Sequence, residues 1–212
     1  MTRHTFNIVR QPLIEPVSTA EVKLYTHISH SVEDTIIANW IKSARKEAED
    51  FLNRAMITQI VEMSIDGWPS WPLQLPMAPL QQVITIKAYS ELNVETVLYD
   101  SGYREYTNTT TTAGPIPVPT TNQYFLIDTR SQPGRITLNS NYSLPTITLR
   151  KIDSIRIQYL AGYGAAASDV PATMIDAIYL YCAIRNENRT GEVKDALGTF
   201  YNLLWPDRIS IL

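Results

Sequence analysis

The sequence lacks the residue patterns on which most enzyme active sites depend. Its 212 residues hold one cysteine and three histidines, and no serine stands in the GxSxG setting of a nucleophile elbow. The segment AGYG leads towards a helix, but it has neither the lysine nor the glycine spacing of a nucleotide-binding loop. We therefore expect no catalytic residue and no cofactor, which favours an interaction or structural protein over an enzyme.

Cysteine and histidine are also too sparse and too scattered for a metal site. Cys182 excludes an internal disulfide, and its apolar helical setting predicts a buried side chain rather than a nucleophile. His27 and His30 are three residues apart, but they straddle the end of a predicted helix. No cysteine or carboxylate joins them before Glu33 and Asp34, so surface histidines in a turn are the favoured interpretation and we expect no metal.

Charge and hydropathy exclude two further classes. A formal net charge of -3 lacks the basic excess of a dedicated nucleic-acid-binding surface. No apolar run is long enough to cross a bilayer, because Arg185, Asn186 and Glu187 interrupt the best candidate. The segment MTRHTFNIVR lacks the apolar region of a signal peptide. We expect a protein made and used inside a cell, or built into a particle there, with no membrane partner.

A strand, a turn and a helix dominate the stretch from Ser154 to Arg189. Alternating apolar residues at its start predict a half-buried strand, and Gly162 and Gly164 permit a sharp turn after it. Asp169 is expected to cap the helix that follows. From Met174 to Ile184 this helix is apolar nearly all round, so it must be covered on every side, and a second subunit can supply part of that cover.

Helices flank a region of short strands. A capping box predicts a helix from Ser18 to His27, and an apolar stripe predicts a longer one over Val32–Asn53. A further helical pattern runs from Val193 to Leu204 and ends at Trp205-Pro206. Strands are predicted at Val61–Ile65, Leu73–Leu75, Val83–Tyr89, Val94–Tyr99, Tyr103–Tyr106, Tyr124–Asp128, Arg135–Leu138 and Ser154–Ala161. This order predicts an α+β protein whose helical part is interrupted by an antiparallel sheet, a sandwich or a small barrel.

The residues leave several features open. The threonine- and proline-rich segment Thr107–Asn122 favours an exposed loop over a domain linker, although such a loop can also reach a neighbouring subunit. The terminal segment DRISIL either frays, folds back, or adds as a strand to a partner's sheet. Twelve tyrosines and four tryptophans suit a protein interface, but ordinary core packing uses them too.

Six segments, in the same order along the chain, resemble the head–tail connector (adaptor) proteins of long-tailed bacteriophages, of the type with an inserted β-domain. The six are EPVSTAEVKLY at Glu15–Tyr25, the helix and following residues at Ile36–Gln59, LQLPMAPLQQVITI at Leu73–Ile86, QPGRITL at Gln132–Leu138, IRIQYLAGYGAAASDVP at Ile155–Pro171, and AIYLYCAIRNENR at Ala177–Arg189. Two features depart from the family pattern. Asn53 stands where a glycine usually precedes Arg54, and the loop at Thr107–Asn122 is longer than the family leads us to expect.

The resemblance implies a structural role in a virion neck, assembled in the cytoplasm of a host bacterium. It implies a helical connector part of residues 1–54 and 163–212 and an inserted, mainly antiparallel β-domain of residues 55–162. About twelve copies would form a ring by head-to-tail contacts. The ring would dock under the portal protein, extend the channel through which phage DNA passes non-specifically, and meet a head-completion (stopper) or tail terminator protein.

A hypothesis for the contacts follows from this resemblance. The helices at Ile36–Leu52 and Met174–Ile184 would form the bundle, and Val193–Leu212 would reach the portal. The candidate subunit or portal contacts are Trp40, Tyr179, Tyr181, Phe200, Trp205, Arg208, Ile209 and Ile211.

Two alternatives belong to other classes. A tail-associated host-binding module would use the β part and the threonine-rich loop, but it leaves the two long helices without a role. A virion hydrolase would need a clustered acid or nucleophile that the sequence does not offer.

Overall fold

The computed structural model describes residues 4–103, 124–189 and 193–210, with residues 193–196 described by their backbone alone. The chain divides into two compact units. One, the β unit, consists of Met1–Arg10, Ile60–Pro76 and Leu80–Leu160; the other, the helical unit, consists of Gln11–Gln59, Met77–Pro79 and Ala161–Leu212. The predicted α+β class is confirmed, while the division into a helical part of residues 1–54 and 163–212 and an inserted β-domain of residues 55–162 stays a prediction.

Four α-helices build the described part of the helical unit. They are α1 (Thr19–Tyr25), α2 (Asp34–Leu52), α3 (Ala172–Glu187) and α4 (Val193–Leu204). The predicted capping box at α1 is confirmed: Glu21 N donates to Ser18 Oγ at 3.2 Å, and Ser18 N donates to Glu21 Oε2 at 2.7 Å. This reciprocal pair satisfies amide groups that the first turn leaves without helical partners.

The core of the helical unit lies between α2 and the two carboxy-terminal helices. The apolar stripe of α2 supplies Ile37, Ile41, Ala44, Ala48 and Leu52, each at most 2% exposed. These residues repeat three or four apart, so they share one helix face and pack together against α3 and α4. The long amphipathic helix predicted over Val32–Asn53 is therefore confirmed, with slightly shorter bounds.

The helix α3 buries most of its surface within the same chain. Met174, Ala177, Ile178 and Cys182 are fully buried, and the remaining apolar side chains on its other faces, Ile175, Tyr179 and Leu180, are half-buried against the core. Burial raises the pKa of Cys182 to about 12, which fits an unreactive thiol.

The predicted cap of α3 is wrong. Asp169 lies in a 3-10 helix at Ala167–Asp169, where its Oδ2 accepts a hydrogen bond from Ala166 N at 3.0 Å. Val170 then runs extended, and Pro171 occupies the N-cap position without a side-chain hydrogen bond. Asp169 therefore closes the turn before the helix, and two residues separate it from the helical amides.

Two sheets form the β unit as far as its residues are described. The strands are β1 (His4–Arg10), β2 (Gln59–Ile65), β3 (Leu73–Gln74), β4 (Leu80–Tyr89), β5 (Glu95–Asp100), β6 (Phe125–Asp128), β7 (Arg135–Leu138) and β8 (Ile155–Ala161). Five strands are ordered β1-β2-β8-β4-β5, and three are ordered β3-β7-β6. The strand pairs β1–β2, β4–β5, β3–β7 and β6–β7 are antiparallel. Predicted strands are thus confirmed at seven places, with β4 beginning earlier than its pattern indicated.

Two sequence predictions for this unit have other outcomes. No strand is predicted before Val61, but residues His4–Arg10 form β1 and pair with β2. A strand predicted at Tyr103–Tyr106 lies outside the described residues except for Tyr103, which belongs to no strand. The loop at Thr107–Asn122 also lies outside them.

Candidate assembly surface

A partly exposed cluster of aromatic and cationic side chains lies where α2 ends. The ring centroid of Phe51 is 4.8 Å from that of Tyr201 and 6.1 Å from that of Trp205. The guanidinium of Arg208 lies 4.9 Å from the Phe51 ring centroid and 5.5 Å from that of Trp205. Trp205 remains 62% exposed and Arg208 is also exposed. We call Phe51, Tyr201, Trp205 and Arg208 the aromatic cluster.

Hydrogen bonds to the end of α2 hold the chain segment that carries Trp205 and Arg208. Ile209 N donates to Leu52 O at 3.0 Å, and Asn53 Nδ2 donates to Ile209 O at 2.7 Å. Arg54 Nε donates to Asp207 O at 2.6 Å. These bonds fix the exposed side chains of the segment on a rigid support, which lowers the entropy lost when a partner binds.

Asn53 suits this junction for two reasons. Its backbone is left-handed, with φ of 54°, and it forms the C-cap of α2. Asparagine tolerates this conformation better than most residues with a side chain, although glycine tolerates it best. Its amide also reaches Ile209, which a glycine could not do. The departure from the family glycine at Asn53 is therefore compatible with the helix end and adds a tether.

Tyr201 links the aromatic cluster to the polar side of α2. Its hydroxyl donates to Glu47 Oε1. This hydrogen bond, reinforced by burial and the nearby carboxylate charge, raises the pKa of Tyr201 to about 12. The hydroxyl therefore stays protonated at any physiological pH and keeps its role as a donor.

A buried ionic network lies on the opposite flank of α2. Arg45 donates to Glu15 Oε2 at 2.7 Å and to Glu49 Oε2 at 2.9 Å. The other oxygen of Glu49 accepts from Met56 N at 2.9 Å and from Gln59 Nε2 at 3.2 Å. Three donors thus surround a carboxylate that has no exposed surface. All the groups that bond Glu49 are donors, as an ionised carboxylate requires. The network therefore links α2 to the segments that precede and follow it in the chain.

Burial and pairing act against each other on the charges in this network. Burial raises the pKa of Glu49, and the charge of Arg45 and the three donors oppose that rise. Burial alone would lower the pKa of Arg45, but its hydrogen bond to Glu15 and the charges of Glu49 and Glu15 outweigh burial and raise it. Arg45 therefore stays charged, and its charge is what keeps a buried carboxylate tolerable beside it.

The predicted contact residues fall into three groups. Phe200, Tyr181 and Ile209 are buried in the subunit, at 0%, 6% and 9% exposure. Trp40 and Tyr179 are half-buried: Arg189 lies 5.6 Å above the Trp40 ring, and Tyr179 stacks on Tyr25 with centroids 5.3 Å apart. Trp205 and Arg208 are exposed and meet in the aromatic cluster. Ile211 lies outside the described residues.

Sequence reasoning missed three residues of this surface. Phe51 and Tyr201 complete the aromatic cluster. Arg54 holds the segment that carries Trp205 and Arg208 through its hydrogen bond to Asp207 O. Phe51 is part of the apolar stripe in the sequence, and only its place in the last turn of α2, beside Tyr201 and Trp205, sets it apart from the core. Nothing in the local pattern around Arg54 indicates a partner 153 positions away.

The described residues offer no sign of a metal centre or a membrane span. Among them, no three His, Cys, Asp or Glu side chains are grouped so that they could hold a metal ion. No helix in this part of the chain is long and apolar enough to cross a bilayer.

Comparison with known proteins identifies the fold. No family model and no curated protein matches the sequence. Three solved structures match this chain, and each match covers 98% of this chain and 97% of the solved chain. They come from the neck of an empty GTA particle with C6 symmetry (17% identity, TM-score 0.71), the virion of a native gene transfer agent (GTA) particle (18%, 0.71), and the neck of a native GTA particle with C12 symmetry (20%, 0.69). The likeness is one of fold, and it agrees with the family resemblance in the sequence.

Proposed function

We propose that this chain is a structural component of the neck of a phage or phage-like particle. It acts as a connector that assembles as a ring under the portal protein, extends the DNA channel and joins the capsid to the tail. No catalysis, cofactor or metal is part of this role. A stopper or tail terminator protein is the partner on the tail side.

The observation that carries the proposal is the match of the whole fold to neck structures. The likeness covers the helical unit and the β unit together, at TM-scores of about 0.7. A helix bundle alone occurs in many unrelated proteins, but this order of helices and strands over 98% of the chain is far more specific. Two of the matched structures are necks with sixfold or twelvefold symmetry, which supports a ring of about twelve copies for this chain too.

The aromatic cluster supplies the contact with the portal. Trp205 and Arg208 are exposed, and hydrogen bonds to the end of α2 hold the segment that carries them. Tryptophan and arginine are among the residue types that contribute most to binding energy at protein interfaces. Phe200, Tyr181 and Ile209 contribute by shaping the support beneath them, since the subunit core already covers them. Trp40, Tyr179 and Ile211 remain proposed contacts between subunits or with the portal.

Removing the carboxy-terminal residues is not a clean test of this contact. A deletion from Asp207 would remove the carbonyl that accepts from Arg54 and the amide of Ile209 that donates to Leu52. The end of α2 would lose its cover together with any portal contact. Substitution of Trp205 and Arg208 separates the two effects, because both side chains are exposed.

The decisive experiment places an early stop codon in this reading frame within the genome that carries it. Electron microscopy of the lysate then shows which assembly step fails. Heads that are filled or leaking, beside separate and complete tails, support the connector role. Complete particles that cannot adsorb to cells would overturn it and support the host-binding module. Expression of the intact chain from a plasmid is the control, and it must restore joined particles.

A further inference from the structure

The five-stranded sheet ends on two strands that carry opposite charges. Among the described residues, β1 and β5 each have a neighbouring strand on one side only. The outer side of such a strand presents backbone N–H and C=O groups that can pair with another strand. In β1 the charged side chain is that of Arg10, while in β5 the charged side chains are those of Glu95, which pairs with Lys87 at 2.9 Å, and of Asp100.

This distribution decides which edges can meet. Two copies of β5 would bring carboxylates together, and two copies of β1 would offer Arg10 no carboxylate, so neither self-pairing joins unlike charges. Only the pairing of β5 with β1 of another copy joins unlike charges. Such a contact uses two different surfaces, so it repeats from copy to copy and can close into a ring.

The direction of the new pair follows from the sheet itself. Ser154 N donates to Ile65 O, and Gln158 Nε2 donates to Glu62, so β8 runs opposite to β2. Tyr89 N donates to Ser154 O, and Gly162 N donates to Pro79 O, so β4 runs opposite to β8. With β1–β2 and β4–β5 also antiparallel, the two outer strands point the same way. A copy that continues the sheet therefore places β1 parallel to β5.

The two faces of the sheet then restrict the register. On β1, Phe6 and Ile8 lie opposite the buried Met63 and Val61, so they belong to the core face, whereas Asn7 lies opposite Glu62 on the other face. On β5, Thr96 and Tyr99 lie opposite the buried Ala88 and Ile86, so they belong to the core face.

Val97 and Asp100 lie opposite Lys87 and Thr85 on the other face, the face on which Arg10 lies opposite Ile60. Each strand also contains one residue that its pairing skips, Val9 in β1 and Leu98 in β5. Setting Arg10 beside Asp100, with the faces matched and one residue skipped on each strand, places Phe6 beside Thr96 and Asn7 beside Val97.

We propose that β5 of one copy pairs in parallel with β1 of the next, with Asp100 beside Arg10 across the contact. The inference rests on the proposed ring, because it names the surfaces through which neighbouring copies meet. Exposed apolar groups gain cover in this arrangement, since Phe6 and Val97 are 41% and 40% exposed in the single chain. The ring is then held in part by backbone hydrogen bonds between β units.

Disulfide trapping tests the pairing directly. Adjacent strands are about 4.8 Å apart, within the Cα separation that a disulfide spans. The double variant Asn7→Cys with Val97→Cys is oxidised in the purified full-length chain at high concentration, and the products are separated under denaturing, non-reducing conditions. We expect a ladder of covalent multimers that extends beyond the dimer and collapses to monomer on reduction.

Matched variants make the trapping specific. Asn7→Cys with Thr96→Cys places the two thiols on opposite faces, and each single substitution leaves one exposed thiol, so none of these should form the ladder. Cys182 is fully buried and stays unreactive. Monomers alone from the Asn7/Val97 variant, or dimers without higher multimers, would overturn the proposal.

A charge exchange tests the ion pair in the same assay. Arg10→Asp or Asp100→Arg alone should lower the yield of the ladder about fivefold, the upper range for an exposed pair. The two changes together should restore the yield. This rescue is required because Asp100 also accepts a hydrogen bond from Gly102 N at 2.8 Å, so a single loss has a second explanation. Equal yields in all four proteins, or no rescue, would contradict the pairing of Arg10 with Asp100.

The same cysteine pair in assembled particles separates this inference from the proposed function. Particles that contain the chain but release only monomers after oxidation would overturn the strand pairing and leave the connector role intact. Particles that assemble joined heads and tails without the chain would overturn the connector role, and the trapping of the purified chain would still decide the pairing.

Discussion

The helical unit and the β unit differ in how their outermost segments are paired. In the helical unit, the carboxy-terminal segment folds back on the end of α2 and is held by Leu52, Asn53 and Arg54. In the β unit, the described part of the five-stranded sheet ends on two strands whose outer backbone groups have no neighbouring strand. Hydrogen bonds within one chain complete the first surface. The second surface, by the inference above, is completed by a strand of another copy.

This difference teaches where stability and specificity come from. A tether between distant segments of one chain forms as soon as the chain folds, so it contributes to the stability of the single subunit. An open edge contributes only when a partner is present, and its charges determine which partner fits. Substitutions in the helical unit should therefore appear as losses of stability, and substitutions at the sheet edges as losses of assembly.

The largest expected effect comes from the buried ionic network. Replacing Glu49 by alanine leaves Arg45 with one carboxylate fewer in a buried site, and leaves Met56 N and Gln59 without their acceptor. We expect the free energy of unfolding to fall by about 3–5 kcal/mol. Urea denaturation followed by circular dichroism measures this change.

The matched control is Asp50→Ala on the same helix. Asp50 pairs with Lys46 four residues away, as Glu49 does with Arg45, but Asp50 and Lys46 are 57% and 53% exposed. Its loss should cost about 0.5 kcal/mol or less. Similar losses in the free energy of unfolding for Glu49→Ala and Asp50→Ala would show that the buried network does not stabilise the helical unit.

A smaller effect is expected at the helix end that carries the aromatic cluster. Asn53→Ala removes the tether to Ile209 and places a less tolerant residue in a left-handed conformation, at a cost of about 1–2 kcal/mol. Asn53→Gly removes the tether but relaxes the backbone, so its cost should be clearly lower. Thermal unfolding of the two variants compares them. A glycine variant that is less stable than the alanine variant would contradict the role of the left-handed backbone.

Exposed residues of the aromatic cluster should affect assembly far more than folding. Trp205→Ala combined with Arg208→Ala should lower the free energy of unfolding by about 1 kcal/mol or less. Complementation of the stop-codon mutant with this variant should nevertheless produce few joined particles. The control is Leu24→Ala, which removes an exposed apolar side chain outside the cluster and should complement fully. Full complementation by the Trp205/Arg208 variant would remove the cluster from the portal contact.

The smallest effect concerns the turn between β6 and β7. Asp128 accepts hydrogen bonds from Arg135 Nε, Arg130 N and Ser131 N, and these lower its pKa to about 2 from the usual 3.8. A carboxyl whose pKa is lower in the folded state contributes stability above the unfolded pKa. That stability is lost as pH falls from about 4 to about 2. Asp128→Asn should therefore flatten the acid side of the stability profile, and an unchanged profile would contradict this account.

Local patterns in the sequence predicted what local physics determines. The stripe of α2, the capping box at Ser18 and the alternation of β2 each arise from neighbours within a few residues, so their predictions were confirmed. The tether from Asn53 to Ile209 joins residues 156 positions apart, and no periodicity indicates it. The open edge at β1 is equally invisible, because Phe6 and Ile8 fit either an unpaired extended segment or a strand until β2 is seen beside them.

The most direct test of the connector role is to locate the chain in finished particles. Gold-labelled antibody against a short tag on the chain, viewed by electron microscopy, reports its position without depending on the phenotype of a mutant. We predict label at the junction of head and tail, and on heads whose tails have been detached. Label confined to the tail tip, or no label on particles assembled in cells that express the tagged chain, would contradict the central claim.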